Sequence, residues 1–219
     1  MPEEQWEHPL SESVGFEFSE NEDGSGYTVS DVGTCEDTVI VIPEQYEGKP
    51  VTAIGACAFS ACTSLTEVRI PNSIKEIGSW AFSLCKSLRE INIPDSVGYI
   101  GENAFYQCAS LKRIVIPDSV PEIGEMAFSE CVSLRNVVIP EGVTDIEYHT
   151  FGECDALERV TIPGSIVCIG KTAFGFCNAL QCVEYHGTVE MWKEIECDPN
   201  AFLLTPAKTV HCLDGDVPL

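Results

Sequence analysis

Ala104-Phe105-Tyr106-Gln107-Cys108-Ala109-Ser110-Leu111-Lys112-Arg113-Ile114-Val115-Ile116-Pro117 leads through Val120 to Ile123-Gly124, and the same apolar positions return 23 residues later. In that register stand Phe59, Phe82, Phe105, Phe128, Phe151 and Phe174; Cys62, Cys85, Cys108, Cys131, Cys154 and Cys177; and Leu65, Leu88, Leu111, Leu134, Leu157 and Leu180. Ile-Gly recurs at 54, 77, 100, 123 and 169, with Ile146-Glu147 filling the gap. A period held by several columns at once is the signature of a repeat architecture.

Within a copy, Leu is followed by two variable residues, Val or Ile, one variable residue and Ile. That alternation turns three side chains to one side of a short strand. The next residue is Pro71, Pro94, Pro117, Pro140 or Pro163, which has no N–H to give to a ladder, so the strand stops there. An apolar residue (Ile74, Val97, Val120, Val143, Ile166) and the Ile of Ile-Gly then return to the core. Ala-Phe-x-x-Cys is too short for a full helix and is expected to make one turn of helix or 3₁₀ with Phe and Cys inside. One copy is therefore one coil, whose apolar edges are covered only when coils stack at the ~4.8 Å spacing of neighbouring strands. The expected fold is a repeat solenoid with a β-strand and a short helix or 3₁₀ turn per coil, and one parallel sheet on one face. Its expected organisation is an acidic N-terminal cap with a hairpin or strands over 1–49, six 23-residue coils over 50–185, and an irregular closing repeat over 186–219. The first ten or so residues are expected to be loose.

These residues resemble the leucine-rich repeats, specifically the 23-residue treponemal class of BspA-like bacterial surface proteins, with its pattern Ala-Phe-x-x-Cys-x-x-Leu-x-x-Val-x-Ile-Pro-x-x-Val-x-x-Ile-Gly. The match runs from about Pro50 to Tyr185. The flanks resemble the family too: Asp23-Gly24 before Tyr27-Thr28-Val29 its opening hairpin, and His211-Cys212-Leu213-Asp214-Gly215 its closing repeat. Copy five departs, with Glu147 for Gly and Thr150 for Ala, and Ile42-Pro43 stands 28 residues before Ile70-Pro71. The resemblance implies adhesion or partner binding, at the cell surface or as a secreted protein, and supplies no catalytic residues.

The composition excludes several classes. With 12 Lys+Arg against 35 Asp+Glu and a net charge of −23, the chain repels polyanions, so no nucleic-acid partner is expected. The longest aliphatic run, Val39 to Ile42, is far short of the ~20 residues that cross a bilayer, so no membrane insertion is expected. Behind Met1 the chain is acidic where a secretory signal is basic. That start and the many unpaired cysteines favour the alternative of a soluble cytoplasmic interaction scaffold. There is no Cys-x-x-Cys, and one Cys per coil reads as a ladder of buried thiols. Cys182, Cys197 and Cys212 with His186 and His211 are the residues that a zinc site would draw on, but no metal or cofactor is expected. Asn21 to Gly26 reads as a hairpin turn and not a calcium loop, lacking the alternating ligands. Nucleophile-elbow and phosphate-loop signatures are absent, so the protein is expected not to be an enzyme. An active site around His186, Trp192 and His211 is the remaining enzymatic alternative.

The outward strand positions carry the most information. Across five copies they hold Arg69, Arg89, Lys112, Arg113, Arg135 and Arg159 against Glu67, Glu90 and Glu158, so half of all basic residues line one face. Charges on an open sheet serve solubility; they also suit recognition of an acidic or carboxylate-bearing protein or glycan, because Arg makes bidentate contacts. The six cations are the expected partner-binding residues. More than half of the excess negative charge falls in residues 1–50, and Trp80 and Met126 are expected to be exposed on the outer side of the coil.

Overall fold

The structure is a computed structural model that describes residues 11–219; the expectation for the first ten residues lies outside the described residues. The chain winds into a β-solenoid of about eight turns. The expected outer sheet is present in two parts. Val39–Val41, Glu67–Arg69 and Glu90–Ile91 form one parallel ladder, and Asn136–Val138, Arg159–Ile162, Cys182–Tyr185 and Thr209–Cys212 form the other. Antiparallel Gly215–Pro218 closes the second part. Partners such as Glu67↔Glu90 and Asn136↔Arg159 lie one sequence period apart, so the repeat is also the register. Val39 pairs with Glu67, an offset of 28. The five extra residues are absorbed in a small hairpin pairing Gln45–Tyr46 with Lys49–Pro50.

The Ile-Gly arm adds a second parallel ladder. Tyr27–Asp31, Lys49–Ile54, Glu76–Ile77 and Tyr99–Ile100 run in series, joined to Ile123 by a single bridge. Asp145–Ile146, Cys168–Ile169 and Glu196–Cys197 continue beyond a gap. Glycine is needed in this arm because coils touch through backbone. A Cβ on Gly101 or Gly124 would come within 2.5 Å of the preceding coil's main-chain nitrogen. The gap between Ile123 and Ile146 falls where Glu147 replaces the glycine whose N–H binds the coil before elsewhere in this arm, so the side chain enters where the coils are not laddered. Glu17–Glu20 pairs antiparallel with Tyr27–Asp31 across the Asn21–Gly26 turn, which is the hairpin expected there.

The Ala-Phe-x-x-Cys segment makes the i→i+3 bonds expected of 3₁₀, for example Ala104 N–H to Gly101 O at 3.2 Å and Cys108 N–H to Phe105 O at 3.1 Å. It does not run as a helix, because two residues per coil sit left-handed. Cys57/Ala61, Trp80/Leu84, Asn103/Gln107, Met126/Glu130, His149/Glu153 and Thr172/Phe176 all have φ between 52° and 63°. Such a conformation costs a non-glycine residue about 1–2 kcal/mol. The return is a third set of bonds: Asn103, Phe105 and Gln107 donate to Glu125, Ala127 and Ser129 of the next coil at 2.8–3.0 Å. The corner is thus a chain of tight turns hydrogen-bonded along the stack. The one α-helix among the described residues is Val189–Glu194, capped by Thr188, whose hydroxyl accepts from Met191 N–H at 3.2 Å.

Inside the corner the rings from Phe59 to Phe202 stack with centroids 5.1–5.6 Å apart and planes within 14° of parallel. Phe16 closes the N-terminal end edge-on, 5.7 Å from Phe59. Phe105→Ala removes a fully buried ring with a neighbour on each side and is expected to lower stability by ~3–5 kcal/mol. Thermal or denaturant unfolding checks this, and an unchanged midpoint would contradict a packed ring column.

Candidate partner-binding face

The strand residues that point away from the core lie in rows across the coils. The first row reads Thr66, Arg89, Lys112, Arg135, Glu158; the second, Glu67, Glu90, Arg113, Asn136, Arg159. All six predicted cations stand on this one face, but they are not equivalent. Arg69 is half-buried and paired with Glu67 at 2.8 Å. Arg135 reaches Glu158 of the next coil at 2.9 Å. Arg159 is paired with Glu184, an acid just outside the copies used to count the face. Arg89, Lys112 and Arg113 are exposed and have no ion pair among the described residues.

Those three surround a cleft of about 400 Å³ whose walls include Glu90, Ile91, Asn92 and Val115. Val115 is 63% exposed. The cleft follows from a local failure of the sheet. No strand forms over 111–117, and Arg135 N–H to Lys112 O at 3.2 Å is the sole backbone bond joining Lys112–Ile116 to a neighbouring coil among the described residues. Asn92 contributes from the other side: its amide donates to Ile70 O and its carbonyl accepts from Ile70 N–H, both at 2.9 Å. Asn92 is therefore turned toward the preceding coil and away from coil three. None of this was read from residue type, although the row Arg89–Lys112–Arg135, with like charges in adjacent coils, carries the signal.

Five of the six column thiols are placed as expected and each gains a hydrogen bond, while Cys62 in the first coil is half-buried. Cys85, Cys108, Cys131, Cys154 and Cys177 are buried, and each Sγ–H donates to the Phe carbonyl of the coil before at 3.1–3.3 Å. Burial pushes these thiols up, Cys85, Cys131 and Cys177 to about 12. All twelve cysteines are free thiols. Ser96, Ser119 and Ser165, equivalent positions of their coils, donate to the Ile74, Val97 and Val143 carbonyls at 2.6–2.7 Å.

The residues of the enzymatic alternative lie in the closing repeat, each against a partner of its own. His186 faces Glu141 at 3.8 Å, His211 faces Asp216 at 2.9 Å, and Trp192 is buried against Tyr185. Among the described residues no group of three or more His, Cys, Asp or Glu is gathered to hold a metal ion, and no helix is long and apolar enough to cross a membrane. A concavity of about 750 Å³ lies at the C-terminal end against Phe202, Leu203, Leu204 and Leu219, away from the basic face. On the corner, Trp80 is 39% exposed and meets Tyr106 edge-on at 6.0 Å; Met126 is half-buried.

Stacked coils with a parallel strand ladder define a leucine-rich repeat protein, and the comparisons specify which kind. The sequence model of the BspA type leucine-rich repeat region, in six copies, matches residues 35–154 and 98–199. The chain belongs to that family. A crystal structure of a Treponema pallidum leucine-rich repeat protein is similar at 33% identity and a TM-score of 0.76, over 80% of this chain and 81% of that one. The pneumococcal vaccine antigen PcpA shares the fold at 17% identity and a TM-score of 0.64, over 90% of this chain and 49% of the antigen. No curated protein matches.

The thiol ladder predicts a pH effect. A buried thiol held above its usual value of 9.0 stays protonated in the folded chain while the unfolded chain ionises, so its stabilisation is full below pH 9 and is lost as pH rises toward 12. The unfolding midpoint is expected to fall steeply above pH 9. At neutral pH, Cys85, Cys108 and Cys131 are expected to resist a thiol reagent until denaturant is added. Reaction of these three in the native protein would contradict the packing.

Proposed function

We propose that this protein is a non-catalytic binding module that takes an acidic protein or glycan partner on the outer sheet face, in the manner of an adhesion repeat at a bacterial surface. The observation that supports this most directly is the set Arg89, Lys112 and Arg113. Among the described residues these three cations make no ion pair around a cleft that holds a single acid, Glu90, in a protein whose net charge is −23. Acids are plentiful, and those nearby neutralise Arg69, Arg135 and Arg159. A surface built only for solubility has no need to leave its few bases unpaired and adjacent. Unpaired arginines bordering apolar surface are suited to charge-assisted contacts with carboxylates, and a solenoid face offers an extended area for them. Arg135 and Arg159, already paired, flank that centre.

The test is charge reversal. Arg89→Glu with Arg113→Glu is expected to weaken capture of a partner found on protein and glycan arrays by well over tenfold, while the fold, read by circular dichroism, is retained. Added salt is expected to weaken the parent complex. Lys75→Glu with Lys171→Glu, off the strand, should change little. Unaltered binding by the Arg89/Arg113 double variant would assign the face a solubilising role and overturn the reading.

A further inference from the structure

The sequence repeats through coil three without a change in its apolar columns, yet the outer ladder stops there and resumes in coil four. Ile114 and Ile116 remain buried, so the strand lies in place and the failure is in its pairing. Among the described residues, Arg113, Ile114, Val115 and Ile116 neither donate nor accept a backbone hydrogen bond. The pairing is opposed electrostatically. Lys112 has a cation in the same row on each side, Arg89 before it and Arg135 after it, and like charges directly opposite one another oppose strand pairing. Arg135 is relieved by Glu158; Arg89 and Lys112 have no such relief. Glu90 is the row neighbour of Arg113 but makes no ion pair with it, consistent with strands held apart at the seam. The cleft between them carries three cations against one acid.

We propose that this seam is a binding site for an extended acidic peptide segment of a partner protein, and that binding zips the coil-three strand into the sheet. The proposal rests on the sheet face being the binding face and adds the occupant and the conformational consequence. Carboxylates seated among Arg89, Lys112 and Arg113 remove the repulsion that keeps the ladder open, so the backbone bonds over 113–116 form at the same time as the contacts to the partner. Val115 lies two residues beyond Arg113 and Ile91 two beyond Arg89, a distance of ~7 Å at ~3.3 Å per residue, which fits an apolar side chain following an acidic pair in an extended chain. A peptide is favoured over an acidic glycan because no aromatic ring lines the cleft to stack on a sugar face. The corner turns and the Phe column continue unbroken past the seam, so the strand edge can close while the rest of the stack keeps its place.

Amide hydrogen exchange on the full chain tests this. The probe is a synthetic peptide with a Glu-Glu pair followed two residues on by Val, and its control carries Gln-Gln. In the free protein the amides of 113–116 are expected to exchange at least tenfold faster than those of Val160–Ile162. The Glu peptide should slow them at least tenfold, and the Gln peptide should not. Lys112→Glu should slow them with no peptide present. Exchange over 113–116 already as slow as over Val160–Ile162 would overturn the proposal, as would a Glu peptide that leaves those amides fast. In the latter case, protection by Lys112→Glu would place the error in the occupant, and protection by an oligogalacturonate would give the seam to an acidic glycan instead. Failure of the broader reading is seen separately, as partner capture that survives Arg89→Glu with Arg113→Glu.

Discussion

Everything in this molecule depends on the coils lying one strand spacing apart, and the corner sets that distance. Each coil places a phenyl ring 5.1–5.6 Å from the next, nearly parallel, and binds its neighbour through corner N–H groups, three of them per step in the middle of the stack. A buried amide without a partner costs about as much as a lost hydrogen bond or more, so the corner keeps its bonds even though two residues per coil must turn left-handed to make them. The thiol column belongs to the same device. A cysteine is small enough to sit beneath the ring and, unlike alanine, donates to the carbonyl of the coil before.

Because the corner holds the stack, the two strand ladders are free to lapse without loss of the fold. Each lapses once, and each for a reason visible in side chains. On the return arm, Glu147 cannot make the close backbone approach of glycine. On the outer face, three bases in one row oppose pairing. The two breaks lie close together along the solenoid, between Ile91 and Asn136 on one side and between Ile123 and Ile146 on the other. The middle of the protein is therefore joined mainly through its corner and its rings, and local stability in a repeat protein follows such nearest-neighbour terms.

The fold was legible in the sequence because the same residue recurs wherever the same packing problem recurs. Phe105 is read from five equivalents that face identical surroundings, and the 23-residue register of the sheet is simply the repeat. The second ladder was less legible, since two residues of strand around Ile77 or Ile169 leave too short an alternation to read. The left-handed corner was invisible for a different reason: Trp80, Asn103 and His149 do not advertise positive φ as glycine does. The basic face was legible as a list of positions but not as a site. Which cations are free depends on partners such as Glu184, which lies outside the five copies, and on the amide of Asn92, which turns to Ile70.

That distinction bears on how a repeat protein acquires function. Columns that stack coils tolerate little change, so specificity has to be written in positions where adjacent coils differ, and a difference has meaning only relative to its neighbours in the row. Lys112 would be an ordinary surface residue between two acids. Between Arg89 and Arg135 it opens a sheet that the apolar residues of the same coil are built to close. An anion that enters the seam is attracted by the cleft at short range, while the repulsion of the molecule's more distant acids is weakened, because exposed charges beyond ~8–10 Å are screened at physiological salt. A surface of this kind discriminates in favour of segments able to place carboxylates within the row, and against polyanions that can only approach the surface as a whole.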